Sequence, residues 1–128
     1  MFSHVVLGAD DVGAAKRFYD AVLGALGIPQ GAIDDRGRLF YRHSGGVLGI
    51  TRPLNGDPAC GANGGTVGFA ANSTDEVHAW HEAGLAHGGT AVEDPPGPRE
   101  MNGRTLYLAY LRDPSGNKIC ALHRVARG

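Results

Sequence analysis

The chain of 128 residues has only two cysteines, one tryptophan and an aromatic share of 7%. Cys60 and Cys120 form no C-x-x-C pair and imply no disulfide framework. No apolar run approaches the ~20 residues of a membrane-spanning helix, and the N-terminus lacks the charged-then-apolar profile of a signal peptide. A cytoplasmic address is therefore expected. Twelve Lys and Arg against thirteen Asp and Glu give a net charge of −1, so no basic field favours nucleic acid or an anionic membrane. The glycines of Gly61-Ala62-Asn63-Gly64-Gly65 lack the Lys-Ser/Thr ending of a phosphate loop, and no nucleophile elbow can be read.

What the chain has in quantity is glycine, 21 residues of it, and a repeated pattern. Shifted by 62 residues, His4-Val5-Val6-Leu7-Gly8-Ala9-Asp10-Asp11 lies over Thr66-Val67-Gly68-Phe69-Ala70-Ala71-Asn72-Ser73. Each copy is a short apolar strand, then small residues, then helix N-cap chemistry. The register persists through Phe18 over Trp80, Leu23 over Leu85 and Gly27 over Gly89, which marks an internal repeat. The apolar spacing of Val12, Ala15, Phe18, Tyr19, Val22, Leu23 and Leu26 predicts a helix near 11–26. Ser73-x-x-Glu76 reads as a capping box opening a second helix near 74–87, with Val77, Trp80 and Leu85 facing inward.

β-prone sequence follows each helix. In the first half a weak strand precedes Asp34-Asp35, and Leu39–His43 pairs with Val47–Thr51 across Ser44-Gly45-Gly46. In the second, Thr90-Ala91-Val92 precedes a loop at Pro95-Pro96-Gly97-Pro98. A closing hairpin then runs from Leu106–Arg112 to Lys118–His123 across Asp113-Pro114-Ser115-Gly116-Asn117. The expected fold is α+β: two tandem β-α-β-β-β modules, residues 1–54 and 62–126 joined by a linker at 55–61. Their mixed sheets are expected to surround a cleft, with the helices outside.

The closing hairpin, the opening His-Val-x-Leu-Gly with Phe18-Tyr19, and Asn63-Gly64-Gly65-Thr66-Val67-Gly68-Phe69 together resemble the vicinal oxygen chelate superfamily. This is the group of glyoxalases, bleomycin resistance proteins and extradiol dioxygenases. The resemblance spans nearly the whole chain. It implies four cleft positions that bind a divalent metal in the family's enzymes. Here they fall on His4, Thr66, Cys120 and, in module one, Leu48 or Gly49; the Cys120 position is usually glutamate. Glyoxalase chemistry needs carboxylate and imidazole donors, and extradiol chemistry needs two histidines and a carboxylate.

No metal is therefore expected; should one bind, His4 and Cys120 would be its ligands and zinc the ion, with His43 or His123 completing the set. Ligand-binding candidates are His4, Tyr41, His43, Thr66, Tyr107, Tyr110, Arg112 and Cys120. By strand alternation Tyr41 faces opposite to Arg42, and Tyr107 opposite to Tyr110. The favoured reading is a metal-free protein, homodimeric, holding a small molecule in the cleft. The alternatives are a divalent-metal-dependent glyoxalase-type lyase and an accessory domain with a vestigial cleft.

Overall fold

The computed structural model describes residues 1–126. The first half runs β1 (His4–Gly8), α1 (Val12–Gly24), β2 (Ala32–Ile33), β3 (Leu39–His43) and β4 (Gly46–Thr51). The second runs β5 (Val67–Ala70), α2 (Thr74–Ala86), β6 (Thr90–Ala91), β7 (Gly97–Met101), β8 (Arg104–Arg112) and β9 (Lys118–Arg124). One sheet has the order β1-β4-β3-β2 and the other β5-β9-β8-β6, with β7 also paired to β8. In both, the first strand lies parallel to the last, β1 on β4 and β5 on β9, while the remaining pairs are antiparallel.

The repeat sets the helix boundaries. α1 and α2 are both 13 residues long, and both ends of α2 lie 62 residues beyond those of α1. Asp11 caps the first, its Oδ1 accepting from the Ala14 N–H at 2.9 Å, and Ser73 caps the second by accepting from Glu76 N–H at 3.1 Å. Glu76 reaches back to the N–H of Asn72 at 2.8 Å, one residue earlier than a capping box requires.

Two expectations need correction. Gly97 and Pro98 do not belong to a loop but open β7, which pairs with β8 alone. Proline is tolerated there because β7 is an edge, where a missing donor breaks no ladder. Asn102 and Gly103, both at positive φ, close the β7–β8 hairpin, and this Asn-Gly pair was a turn signal available in the sequence. Leu85 does not face inward: it is 47% exposed, and the buried position belongs to Gly84. A Cβ at Gly84 would collide with Leu111 and lie 3.3 Å from the Phe18 ring, so only glycine admits this close approach of α2 to its neighbours.

The helices pack on each other, each backed by its own sheet, around a single core. Phe18, Tyr19 and Val22 of α1 and Val77 and Trp80 of α2 are fully buried, together with Leu39 and Ile50 from one sheet and Leu111 and Ile119 from the other. The Trp80 indole N–H has no acceptor among the described residues, a cost of ~1–3 kcal/mol. Burying its ring, worth roughly 5 kcal/mol, outweighs that. Because both sheets turn their helix-bearing faces toward this core, no helix covers their other faces, although Leu108 and Cys120 on the second of these are buried.

One polar cluster joins the halves. Asp113, 5% exposed, accepts at Oδ1 from the N–H groups of Ser115 and Asn117, both at 2.9 Å. Its Oδ2 accepts from the Tyr19 hydroxyl at 2.6 Å and from the Asn117 amide at 2.9 Å. The same amide donates to the Gly8 carbonyl at 2.9 Å. Burial, then the charge of Asp113 and its hydrogen bond, raise the Tyr19 pKa well above the ordinary tyrosine value. Burial and the Asp20 carboxylate, 2.8 Å from its hydroxyl, raise that of Tyr41 as well.

Asp113→Ala should lower the unfolding free energy by ~3 kcal/mol and Tyr19→Phe by ~1 kcal/mol in urea titrations, since the first strands three buried donors and the second removes one. A folded-state pKa above the unfolded one favours the protonated native state. Stability from Tyr19 and Tyr41 should therefore be complete below pH ~10 and fall as pH rises beyond it, less steeply in Tyr19→Phe. Ser73→Ala should cost ~1 kcal/mol in the same assay.

Candidate functional site

Strand alternation sorts the candidate residues onto two surfaces. On β1, Val5 and Leu7 pack against the core while His4 and Val6 point to the helix-free side, where both are exposed. On β3 and β4, Leu39, Tyr41, Leu48 and Ile50 are buried toward α1, which leaves Phe40, Arg42, Val47 and Gly49 on the helix-free side. On β8 and β9, Ala109, Leu111, Ile119 and Ala121 face the core. Leu106, Leu108, Tyr110 and Arg112 share the opposite side with Lys118, Cys120, Leu122 and Arg124.

Four candidates thus belong to helix-free faces: His4 on one sheet, and Tyr110, Arg112 and Cys120 on the other. Thr66, one residue before β5, is exposed. Tyr41 and Tyr107 lie on the helix side. The Tyr41 hydroxyl donates to Asp20, and the Tyr107 hydroxyl sits 2.6 Å from Nε2 of His78 on α2. Partial burial pushes the Asp20 carboxyl up, but hydrogen bonds from Lys16, Tyr41 and the Gly31 N–H outweigh it and hold the pKa below the ordinary value. His43, at the end of β3, lines an apolar cavity of about 200 Å³ with Val5, Leu23, Ile28, Val67 and Phe69, between the edge strands β1 and β5. The Nδ1 of His123 lies 3.2 Å from the Ala71 carbonyl. Neither histidine approaches His4 or Cys120 as part of a ligand group, and among the described residues no group of three or more His, Cys, Asp or Glu is arranged to hold a metal ion.

The parallel ladders resolve the ambiguous fourth position. Val6 pairs with Gly49 and Gly68 with Cys120, so Gly49 is the module-one counterpart of Cys120. A Cβ at Gly49 would stand 3.1 Å from the Phe40 ring and 3.4 Å from Val6, so an aromatic side chain fills the space a ligand would take. The Cys120 sulfur lies over Gly68, 3.2 Å from where a Cβ would be. Burial raises the Cys120 pKa, which Lys118 opposes and Glu93 reinforces; Lys118 is itself ion-paired to Glu93. One imidazole, a buried thiol, a threonine and a glycine do not fit a divalent-metal centre of the glyoxalase or extradiol kind.

The family model for the Glyoxalase/Bleomycin resistance protein/Dioxygenase superfamily matches residues 1–121. The chain belongs to this superfamily. A glyoxalase/bleomycin resistance protein from Albidiferax ferrireducens T118 is 56% identical, with a TM-score of 0.93 over 97% of this chain and 99% of that one. A lactoylglutathione lyase from Agrobacterium tumefaciens is 25% identical, TM-score 0.66, over 96% and 92% of the two chains. A glyoxalase-related enzyme from Fulvimarina pelagi, 19% identical at a TM-score of 0.73 over 96% and 87%, shares the fold. The chain matches no curated protein. No helix among the described residues is long and apolar enough to cross a membrane.

A buried thiol with a raised pKa is a poor nucleophile. At neutral pH, exposed Cys60 should react with iodoacetamide at least ~10-fold faster than Cys120, as read by peptide mapping. Equal rates would refute the assignment of Cys120 as a packed side chain.

Proposed function

We propose that this protein binds a small organic molecule in a cleft completed by a second copy of the chain, without a four-ligand metal centre. The observation that carries this reading is the outward turn of both helix-free faces. They bear His4, Tyr110 and Arg112, with Cys120 packed beneath Tyr110, and the contact between the halves is made by the helices and not by these faces. Val6, 53% exposed, and Met101, 53% exposed, are apolar surface that a partner protomer would cover. The cleft then forms between module one of one protomer and module two of the other, and the reading includes a cytoplasmic homodimer. Its ligand contacts come from the strand side chains just named, with Thr66 at the rim. Tyr107 supports its sheet from behind, while Tyr41 and His43 line the apolar cavity beside Val5 and Val67.

The second reading, a metal-dependent glyoxalase-type lyase, draws on His4 at a family ligand position and on the 25% identity to the A. tumefaciens protein named as a lactoylglutathione lyase. It needs donors that Gly49 and Thr66 do not supply. Elemental analysis of tag-free protein purified without chelators separates the two. The metal-free reading expects well under one equivalent of zinc, nickel, manganese or iron; near-stoichiometric metal that disappears in His4→Ala would establish the lyase reading instead.

Light scattering should give twice the 13.3 kDa of one chain, and Val6→Asp should shift the protein toward monomer while its circular dichroism is retained. A concentration-independent mass of one chain would refute the shared cleft.

A further inference from the structure

Charge is distributed unevenly over the strands. Six strand residues are cationic: Arg42, Arg99, Arg104, Arg112, Lys118 and Arg124. By register all six stand on helix-free faces, since Arg42 shares the side of Phe40 and the others that of Tyr110 and Cys120. Glu100, the one acidic strand residue, pairs with Thr105 on the opposite face. This polarity arises in a chain whose net charge is −1. The acidic residues are placed instead on helices, caps and loops, where they complement helix N-termini or brace turns.

The same faces carry a second pattern that the repeat makes visible. Phe40 pairs with Gly49, and Tyr110 pairs with Cys120, so the two rings occupy equivalent places beside equivalent positions. Each ring has cationic neighbours: Arg42, with its guanidinium carbon 5.2 Å from the Phe40 centroid, joined there at 5.5 Å by Arg38, which is ion-paired to Asp34, and Lys118, with its ammonium 5.0 Å from the Tyr110 centroid. Lys118 is already ion-paired, to Glu93, a non-glycine residue held at φ +58°. A carboxylate of the protein itself, presented on a backbone conformation that costs free energy, thus occupies the position a ligand's anion would take.

We propose that the ligand is a small organic anion with a planar apolar body. Its negative group is held by Lys118 and Arg42, and its body lies between the Tyr110 and Phe40 rings of the two facing modules. This rests on the shared-cleft reading and adds to it the ligand's charge and shape. Cations over rings bind an anion on their far side without losing the ring contact, and a face with more cations than acids attracts an anion by its field as well. Glu93 acts as the displaceable occupant: when the ligand's anion takes Lys118, the glutamate side chain swings to solvent, where it is already half exposed.

Four probes of one shape test this: benzoate, phenylphosphonate, neutral benzyl alcohol and cationic benzylammonium, each titrated into the full-length protein and followed by amide chemical shifts. Benzoate, phenylphosphonate or both should perturb β3, β4, β8 and β9 and bind at least ~10-fold more tightly than the neutral and cationic probes, with affinity falling as salt rises. Lys118→Met should weaken the anion ~10-fold, Lys118→Arg should restore most of it, and Glu93→Gln should tighten it a few-fold, because the competing carboxylate is removed. Glu93→Gln gives a gain that a misfolded variant cannot mimic. Benzyl alcohol binding on these faces as tightly as benzoate would overturn the charge selection while leaving a ligand cleft intact. Unchanged anion affinity in a folded Lys118→Met protein would also overturn it. Silence from all four probes would overturn this proposal, whereas the shared-cleft reading stands or falls separately on the light-scattering and Val6→Asp results.

Discussion

The Asp113 carboxylate accepts four hydrogen bonds, three from its own hairpin turn and one from a tyrosine 94 residues earlier in the chain. A buried, desolvated carboxylate is tolerable only when its lone pairs are filled in this way, and the demand for donors fixes geometry in two directions at once. Locally it shapes the turn, where Gly116 at φ +90° closes the loop and Pro114 initiates it. Globally it ties α1, through Tyr19, to the β8–β9 hairpin, while Asn117 reaches the Gly8 carbonyl at the end of β1. The two halves are thereby locked with their helices in contact.

From that lock it follows that no helix covers the opposite face of either sheet. The contact between the two halves is made by α1 and α2, while the two sheets make next to none with each other. Here the helix contact is the intrachain one, built from Phe18, Val22, Gly84 and Leu111 at distances that only a glycine permits. The cationic and aromatic strand surface takes no part in that contact. Packing in the core and chemistry on the outer faces are alternating residues of the same strands, so neither can shift register without destroying the other.

Sequence reasoning reached the elements that repeat and missed those that do not. Apolar spacing and cap residues, which are local signals, place both helices to within two residues of their observed ends. β7 escaped notice because prolines next to a glycine resemble a loop, although Asn102-Gly103 marked the hairpin. Leu85 lies over the buried Leu23 in the repeat, yet α2 approaches its neighbours closely there, and the small residue one position earlier takes the inward place. The candidate site was legible as positions but not as a surface. The family pattern picks out His4 and Cys120, and alternation separates Tyr107 from Tyr110, but which tyrosines lie on the helix side is set by contacts such as those of Tyr41 with Asp20 and Tyr107 with His78.

The residues that replace the family's ligand set do more than remove donors. Restoring a carboxylate at Gly49 would drive it into Phe40, and a histidine at Thr66 would still face neither a carboxylate nor an acidic thiol. Phe40 and Tyr110 occupy the equivalent sites beside those positions, and each carries a cation over its ring. In a metal centre the fixed positive charge of the ion would sit at the middle of the cleft, ringed by anionic protein groups. In the proposed shared cleft the positive charges would belong to the protein and stand on the walls beside the aromatic rings. The electrostatic sign of such a wall is inverted relative to a carboxylate-lined metal site, so the two would favour ligands of different charge.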